Sequence, residues 1–249
     1  MSAAIPLISL HNVTVTYDRH PAVHHVSGQF AKASLTAVVG PNGAGKSSLL
    51  KTLVGVIAPS EGTVTWHGTS PREIAYLPQM TAIDERFPMS VMDVVLMGHW
   101  RRAGAFREMT AAMCDAALAA LSTVGLDGFA DRGFGSLSAG QRQRALFARL
   151  VVADCPVILL DEPFSAIDSR TTDDLLKLIH QWHREGRTVI AVLHDLPQVR
   201  QHFPNTLLLA RRLVAWGATA QALTAESLRA ARDMSEAWDE SAAICRGAA

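Results

Sequence analysis

The chain has 249 residues, of which 49% are hydrophobic and 18% are charged, a composition typical of a globular protein with a sizeable core. Its 23 basic and 23 acidic side chains balance to a formal net charge of zero, which argues against nucleic acid as the main partner. No apolar run is long enough to span a bilayer and the first residues do not resemble a signal peptide, so we expect a cytosolic location.

Hydrophobic patterning predicts strands at both ends of the chain and helices in the middle. Before residue 80 the predicted strands are 8–17, 23–30, 35–39, 63–66 and 74–79, with a helix starting at 47. Residues 81–152 are mostly helical in character, and we interpret them as a lobe inserted between strands of the core. The predicted helices of this lobe are 91–98, 109–124 and 138–152. Ser90 is expected to cap the first of them, with Met92, Val95 and Leu96 on its apolar face.

An α/β alternation resumes after residue 155. Buried strands are predicted at 156–160 and 188–193, separated by a helix at 171–185. Segments 205–210 and 212–216 are expected to be edge strands that form a hairpin. Thr224 is expected to cap a final helix, and the tail from about residue 241 is expected to fray.

A phosphate-binding loop follows the predicted strand 35–39 and precedes a predicted helix, matching the pattern G-x-x-x-x-G-K-[ST]. Its residues are Gly40-Pro41-Asn42-Gly43-Ala44-Gly45-Lys46-Ser47-Ser48. The glycines allow backbone N–H groups to point at a phosphate, and the helix N-terminus adds partial positive charge. Lys46 is expected to reach the β- and γ-phosphates, and the Ser47 hydroxyl is the expected Mg²⁺ ligand.

Two adjacent carboxylates, Asp161 and Glu162, end the apolar run 156–160. In a parallel sheet they are expected at the edge from which the phosphate loop also emerges. Asp161 is placed to hold Mg²⁺, and Glu162 is free to polarise a water that attacks the γ-phosphate. The alternative is an ordinary acidic turn after a core strand.

A second anion site is predicted at a helix start in the segment Leu137-Ser138-Ala139-Gly140-Gln141-Arg142-Gln143-Arg144. This segment resembles the signature sequence of the ABC-type ATPases, although Ala139 stands where that family usually has a glycine. The resemblance covers about residues 7–220. It implies that Tyr17 stacks on adenine and that Gln79 senses the γ-phosphate and Mg²⁺. It also implies that Asp168 contacts the opposite subunit and that His194 contacts the γ-phosphate and the attacking water. The alternative for each is an ordinary structural side chain.

The resemblance also implies the fold and the assembly. The expected fold class is α/β, a P-loop NTPase core of mixed or parallel sheet with an antiparallel β subdomain and an inserted helical lobe at about 81–152. The expected division is an ATP-binding domain at 1–220 and a helical tail at 221–249. The expected assembly is a head-to-tail homodimer with two ATP molecules, each held by residues 40–48 of one chain and 138–141 of the other.

A transporter of this kind requires further subunits. An integral membrane permease is expected to contact residues 80–100, and an extracytoplasmic metal-binding protein is expected in the same system, which places the chain on the cytoplasmic face of the membrane. The apolar residues of this segment are Ile83, Phe87, Met89, Met97 and Trp100. The alternative is that many of them pack inside the helical lobe.

The transported substance is inferred from segment 87–98, which is similar to the corresponding segment in ATPases of zinc and manganese importers. Zinc is the first expectation, and manganese, chelated iron or another solute are the alternatives. A further alternative is that the chain is the ATPase of an exporter. His24, His25, His180 and His183 are expected to be solvated surface residues rather than metal ligands. A non-transport ABC-type protein acting on DNA or ribosomes is disfavoured, because there is one phosphate loop and no sustained heptad pattern.

Overall fold

The computed structural model describes residues 5–17, 20–79, 88–100, 104 and 108–236. Contacts divide the chain into a first unit, Met1–Pro71 with Ile190–Ala249, and a second unit, Arg72–Val189. The second unit is continuous in sequence and interrupts the first. Strand β7 (Thr188–Val192) crosses the boundary between them.

The first unit is built mainly from strands. Its elements are β1 (Pro6–Tyr17), β2 (His20–Ala31), β3 (Leu35–Val39), α1 (Lys46–Leu53), β4 (Glu61–Trp66), α6 (Leu196–His202), β8 (Asn205–Ala210), β9 (Arg212–Ala218), α7 (Thr219–Ala222) and α8 (Ala225–Glu236). β1 pairs antiparallel with both β2 and β4, giving the order β2-β1-β4. β8 pairs in parallel with β3 and antiparallel with β9. All five residues of β3 are buried, so this strand fixes the place from which the phosphate loop emerges.

The described part of the second unit contains two parallel strands and four α-helices. Its elements are β5 (Ile74–Leu77), α2 (Val91–Leu96), α3 (Ala111–Thr123), α4 (Ala139–Ala153), β6 (Val157–Asp161) and α5 (Ser169–Arg184). β5 and β6 are in register from Ile74 opposite Val157 to Leu77 opposite Leu160. The carboxyl ends of the two strands therefore lie side by side, as in other parallel pairs.

The fold class predicted from the sequence is confirmed: a mixed α/β core is accompanied by an antiparallel sheet. Helices α2, α3 and α4 confirm the helical character of the predicted lobe where it is described. Ser90 and Thr224 cap helices as expected. In the described ranges, no helix combines the length and the apolar composition needed to cross a membrane.

Three details differ from the predictions. β8 is not an edge strand, because it lies between β3 and β9 and five of its six residues are buried. The buried face of α2 consists of Val91, Val94 and Val95 rather than Met92, Val95 and Leu96. Helix α6 was not predicted, although Asp195 accepts a hydrogen bond from Gln198 N and a proline follows in the first turn.

The prediction of a solvated surface residue is wrong for His24. Its side chain is only 5% exposed, because β2 packs it beside the turn between β8 and β9. His25 is half-buried, and its Nδ1 lies 2.9 Å from Asn12 Oδ1.

Candidate functional site

The phosphate loop is folded around the ammonium group of Lys46. The lysine begins α1, its side chain is buried, and its Nζ donates to Gly40 O at 2.9 Å and to Pro41 O at 2.8 Å. These bonds join the last part of the loop to the first. The lysine therefore pre-forms the loop as well as supplying positive charge.

Two of the loop glycines have no room for a side chain. A Cβ on Gly40 (φ +156°) would lie 1.9 Å from Leu209 O, and a Cβ on Gly45 (φ +87°) would lie 1.9 Å from Ala22 O. Both distances are far below a van der Waals contact, and both backbones adopt φ values that favour glycine. The loop is thus seated against the backbones of β8 and β2, which leaves the N–H groups at the start of α1 to bind an anion.

His194 lies beside the start of the phosphate loop. It follows β7, whose continuation is joined to β3 by a hydrogen bond from Leu193 N to Val38 O at 3.1 Å. His194, Gly40 and Pro41 line a common cavity of about 240 Å³. The first unit therefore brings an exposed imidazole next to the loop.

In the second unit, the ends of β5 and β6 bring Gln79 and Glu162 into direct contact. Gln79 Nε2 donates to Glu162 Oε2 at 2.8 Å, and Ser165 Oγ donates to the same oxygen at 3.2 Å. Glu162 has a φ of +51°, a strained conformation for a residue with a Cβ. The two donors and this backbone turn give the carboxylate a defined orientation.

Tyr76 is a site residue that the sequence analysis missed. Its hydroxyl donates to Asp161 Oδ2 at 3.2 Å, and Asp161 is only 2% exposed. A tyrosine in a short apolar strand resembles ordinary core. Only the pairing of β5 with β6 shows that its hydroxyl reaches the carboxylate.

The signature segment begins α4 with a reciprocal pair of hydrogen bonds. Ser138 Oγ accepts from Gln141 N at 3.3 Å, and Gln141 Oε1 accepts from Ser138 N at 3.0 Å. This capping box holds the serine at the helix N-terminus and accounts for the glutamine three residues later. Ala139 is the first helical residue, a position where alanine favours the helix more than glycine does.

The N-termini of α4 and α5 lie against each other within the second unit. A Cβ on Gly140 would be 3.3 Å from Thr171 Oγ1 and 3.5 Å from Asp168 Oδ2. Behind this contact, Arg144 donates to Asp174 Oδ2 at 2.9 Å and to Val124 O at 2.9 Å. The structure therefore brings together Asp168 and the signature segment. It adds Thr171, which the sequence did not single out, and it gives Arg144 of the signature segment a contact that the sequence did not predict.

The Asp168 carboxylate has its pKa lowered, first by the Thr171 backbone N–H and then by the Thr171 hydroxyl. These donors lie 2.8 Å from Oδ1 and 2.8 Å from Oδ2. Because the folded pKa is depressed, the stabilisation from this carboxylate is complete above its ordinary pKa and is lost as the pH falls through the folded value.

Replacing Thr171 by valine is expected to raise the pKa of Asp168 towards its ordinary value. The substitution removes the hydroxyl donor and keeps the shape of the side chain and the backbone N–H. A carboxyl-carbon NMR titration measures the change. Thr172→Val is the matched control, because the Thr172 hydroxyl donates to Asp168 O and not to the carboxylate. Equal pKa values in the two variants would contradict the assignment.

The other predicted residues lie outside these clusters. Tyr17 ends β1 and is 46% exposed, so its ring is available for stacking. Trp100 is 55% exposed, whereas Met89 and Met97 are half-buried. Ile83 and Phe87 lie outside the described residues.

The oxygen-donor character of Ser47, Gln79 and Asp161 fits Mg²⁺, a hard cation that prefers carboxylate, hydroxyl and carbonyl oxygens. Asp161 is buried with a hydroxyl donor on one oxygen, which is a suitable setting for a carboxylate that meets a cation. In the part of the chain that the structure describes, no group of three or more histidine, cysteine, aspartate or glutamate residues could hold a metal ion.

Comparison with known proteins agrees with these features. The family model described as ABC transporter matches residues 23–165. The chain is 39% identical over 224 residues to a probable metal transport system ATP-binding protein of Chlamydia pneumoniae, covering 88% of this chain and 86% of the relative. It is 36% identical over 226 residues to the manganese transport system ATP-binding protein MntB of Bacillus subtilis, covering 89% and 90%. It is 35% identical over 235 residues to the zinc transport system ATP-binding protein TroB of Treponema pallidum, covering 93% and 88%.

Among solved structures, the chain resembles one of a metal-chelate type ABC transporter in an inward-facing conformation. The TM-score is 0.81 and the sequence identity is 33%, and the match covers 92% of this chain and 89% of that one.

Proposed function

The chain belongs to the ABC transporter family of ATP-binding domains, and from that premise we propose that it is the ATPase subunit that powers an importer of a divalent transition metal. The observation that carries the proposal is that a complete phosphate loop, a Gln79–Glu162 pair and a capped signature helix occur in one chain whose relatives are named for metal transport. ATP is the substrate, and ADP and inorganic phosphate are the products.

The roles of the site residues follow from their chemistry. Residues 40–48 bind the phosphates, with Lys46 placed towards the β- and γ-phosphates, and Tyr17 stacks on adenine. Glu162, oriented by Gln79 and Ser165, accepts a proton from the attacking water as that water bonds to the γ-phosphorus and ADP leaves. His194, exposed beside the loop, donates a hydrogen bond to the γ-phosphate.

Magnesium would be held by Ser47, Gln79 and Asp161. When bound, Mg²⁺ would offset the negative charge of the phosphate oxygens. The Tyr76 hydroxyl fixes the orientation of the Asp161 carboxylate.

We propose that the working form is a homodimer in which Ser138–Gln141 and Asp168 serve the nucleotide held by the partner. Ser138 is exposed at the N-terminus of α4, where its hydroxyl and the helix dipole favour an anion. Because Gly140 packs against the start of α5, the signature segment and Asp168 lie at neighbouring helix N-termini.

The proposed membrane partner is a permease that contacts the surface around Trp100. Trp100 lies four residues after the end of α2, and its large indole is exposed. Tryptophan is among the residues that contribute most to binding at protein interfaces. An extracytoplasmic metal-binding protein would deliver the cargo to that permease.

The proposed cargo is zinc or manganese, the two metals for which the similar proteins are named. Deleting this protein is expected to lower accumulation of its metal when that metal is scarce, because hydrolysis of ATP drives the import cycle. The measurement is uptake of ⁶⁵Zn and ⁵⁴Mn by the deletion strain, the wild type and a strain complemented with Glu162→Gln.

The complemented strain is the matched control, because the variant keeps the binding surfaces and lacks the proposed base. Loss of zinc uptake alone would assign zinc, and loss of manganese uptake alone would assign manganese. Unchanged uptake of both metals would overturn the proposed cargo.

A further inference from the structure

The turn between β8 and β9 is hydrogen-bonded to the phosphate loop. Arg211, the single residue between the two strands, donates its backbone N–H to Ala44 O at 3.0 Å. Leu209 O, on the same hairpin, occupies the space where a Cβ on Gly40 would lie. The hairpin therefore supports the loop at two points, its first glycine and the residue before its last glycine.

The same turn is tied to β2. Arg211 O accepts from His24 N at 2.7 Å, and Arg212 Nε donates to His24 Nδ1 at 3.1 Å. Two residues earlier on β2, Ala22 O occupies the Cβ position of Gly45. β2, the turn and the phosphate loop thus form a closed ring of contacts, and we call Ala22, His24, Arg211 and Arg212 the loop brace.

The side-chain bond in the loop brace requires His24 to be neutral at Nδ1, since a protonated nitrogen cannot accept from a guanidinium. Burial lowers the pKa of His24, and the positive charges of His25 and Arg212 lower it further, while Glu61 acts in the opposite direction. The lowered pKa favours the neutral imidazole, the form in which Nδ1 can accept a hydrogen bond. The resulting bond joins a buried acceptor to an exposed, charged donor.

We propose that His24 and Arg212 are positioning residues for ATP: by holding the β8–β9 turn against β2, they fix the carbonyl of Ala44 and keep the phosphate loop ready to bind. The inference rests on the proposed function, because it assigns a new role to residues that support the same nucleotide site. Neither residue belongs to the phosphate loop or to the signature segment. Both act through the Arg211 backbone.

Arg212→Ala is expected to weaken ATP binding by about three- to tenfold, the effect of losing one hydrogen bond that pre-organises the site. The KM for ATP should rise by the same factor, and kcat at saturating ATP should stay near the wild-type value, because bound ATP itself restores the loop. Arg212 is exposed, so this substitution leaves the core intact. The measurements are titration with a non-hydrolysable ATP analogue, steady-state hydrolysis and the melting temperature of the full chain.

Two substitutions at His24 separate positioning from packing. His24→Leu removes the acceptor and should reproduce the weaker binding, whereas His24→Asn keeps an oxygen near the position of Nδ1 and should restore it. Arg229→Ala is the control for loss of an exposed arginine, since among the described residues the hydrogen bond of Arg229 Nε goes to Ala225 O within the same helix, α8. Its affinity for the analogue should equal that of the wild type.

The outcomes also distinguish this inference from the proposed function. If the wild-type protein fails to bind the analogue, the proposed function is wrong, and the role of the loop brace in ATP binding is wrong with it. If the wild type binds and Arg212→Ala binds equally well, the inference is overturned. A fall in kcat with unchanged KM would also overturn it, because the brace would then act on the chemical step.

Discussion

Glu162→Gln is expected to lower the steady-state rate of ATP hydrolysis by about 10²- to 10⁴-fold, the usual contribution of a general base. Glutamine keeps the size of the side chain and can still accept from Gln79, but it cannot take a proton from water. ATP binding should persist, because glutamine has nearly the shape of glutamate and can keep the contacts with Gln79 and Ser165. The expected product is therefore a chain that binds ATP, forms the proposed dimer and turns over very slowly.

The measurement is release of phosphate at saturating ATP, with size-exclusion chromatography in the presence and absence of ATP to detect the dimer. Glu226→Gln, on the exposed start of α8, is the control for loss of one negative charge. Turnover within threefold of the wild type, a difference of about 0.7 kcal/mol in barrier, would remove Glu162 from the role of base.

Lys46→Ala is expected to weaken ATP binding by about 100-fold, since hydrogen bonds between a charged donor and an anion are each worth roughly 1.5–3 kcal/mol. The substitution has a second effect on the loop itself. It removes the bonds to Gly40 O and Pro41 O that fold the loop before nucleotide arrives. Both effects act in the same direction, so hydrolysis should fall with binding.

Direct titration of ATP in the presence of Mg²⁺ measures this loss. Lys51→Ala is the matched control, because Lys51 lies one turn further along α1 and is not in the phosphate loop. Circular dichroism of both variants verifies that the fold is retained. An affinity of Lys46→Ala within threefold of the wild type would contradict the phosphate-binding role of this lysine.

Short-range patterns in the sequence predicted most of the individual elements. β3 was predicted with its observed limits, and the capped starts of α2, α4 and α8 were found at Ser90, Ser138 and Thr224. These features depend on residues within a few positions of each other, where capping and apolar alternation have a direct local cause. α6 was missed because its seven residues carry too little periodicity.

The burial of β8 and of His24 could not be predicted in the same way. A six-residue strand that begins with two polar residues and ends in an apolar run is compatible with an edge or a central position, and the packing of distant segments determines which strands lie beside it. His24 is polar, and its burial is compatible with the fold because Arg212, 188 residues away, supplies a hydrogen bond.

The sequence by itself predicted the chemistry of this protein: the phosphate loop, the carboxylates Asp161 and Glu162 at the end of β6 and the signature helix are each recognised from residues that are close in the chain. The tertiary structure decided how those groups are held. It placed Gln79 on Glu162, Tyr76 on Asp161, Gly140 against Asp168 and the β8–β9 turn against Ala44. These contacts join residues up to 167 positions apart (Ala44 to Arg211), and they arise from strand pairing and close packing, which no local pattern encodes.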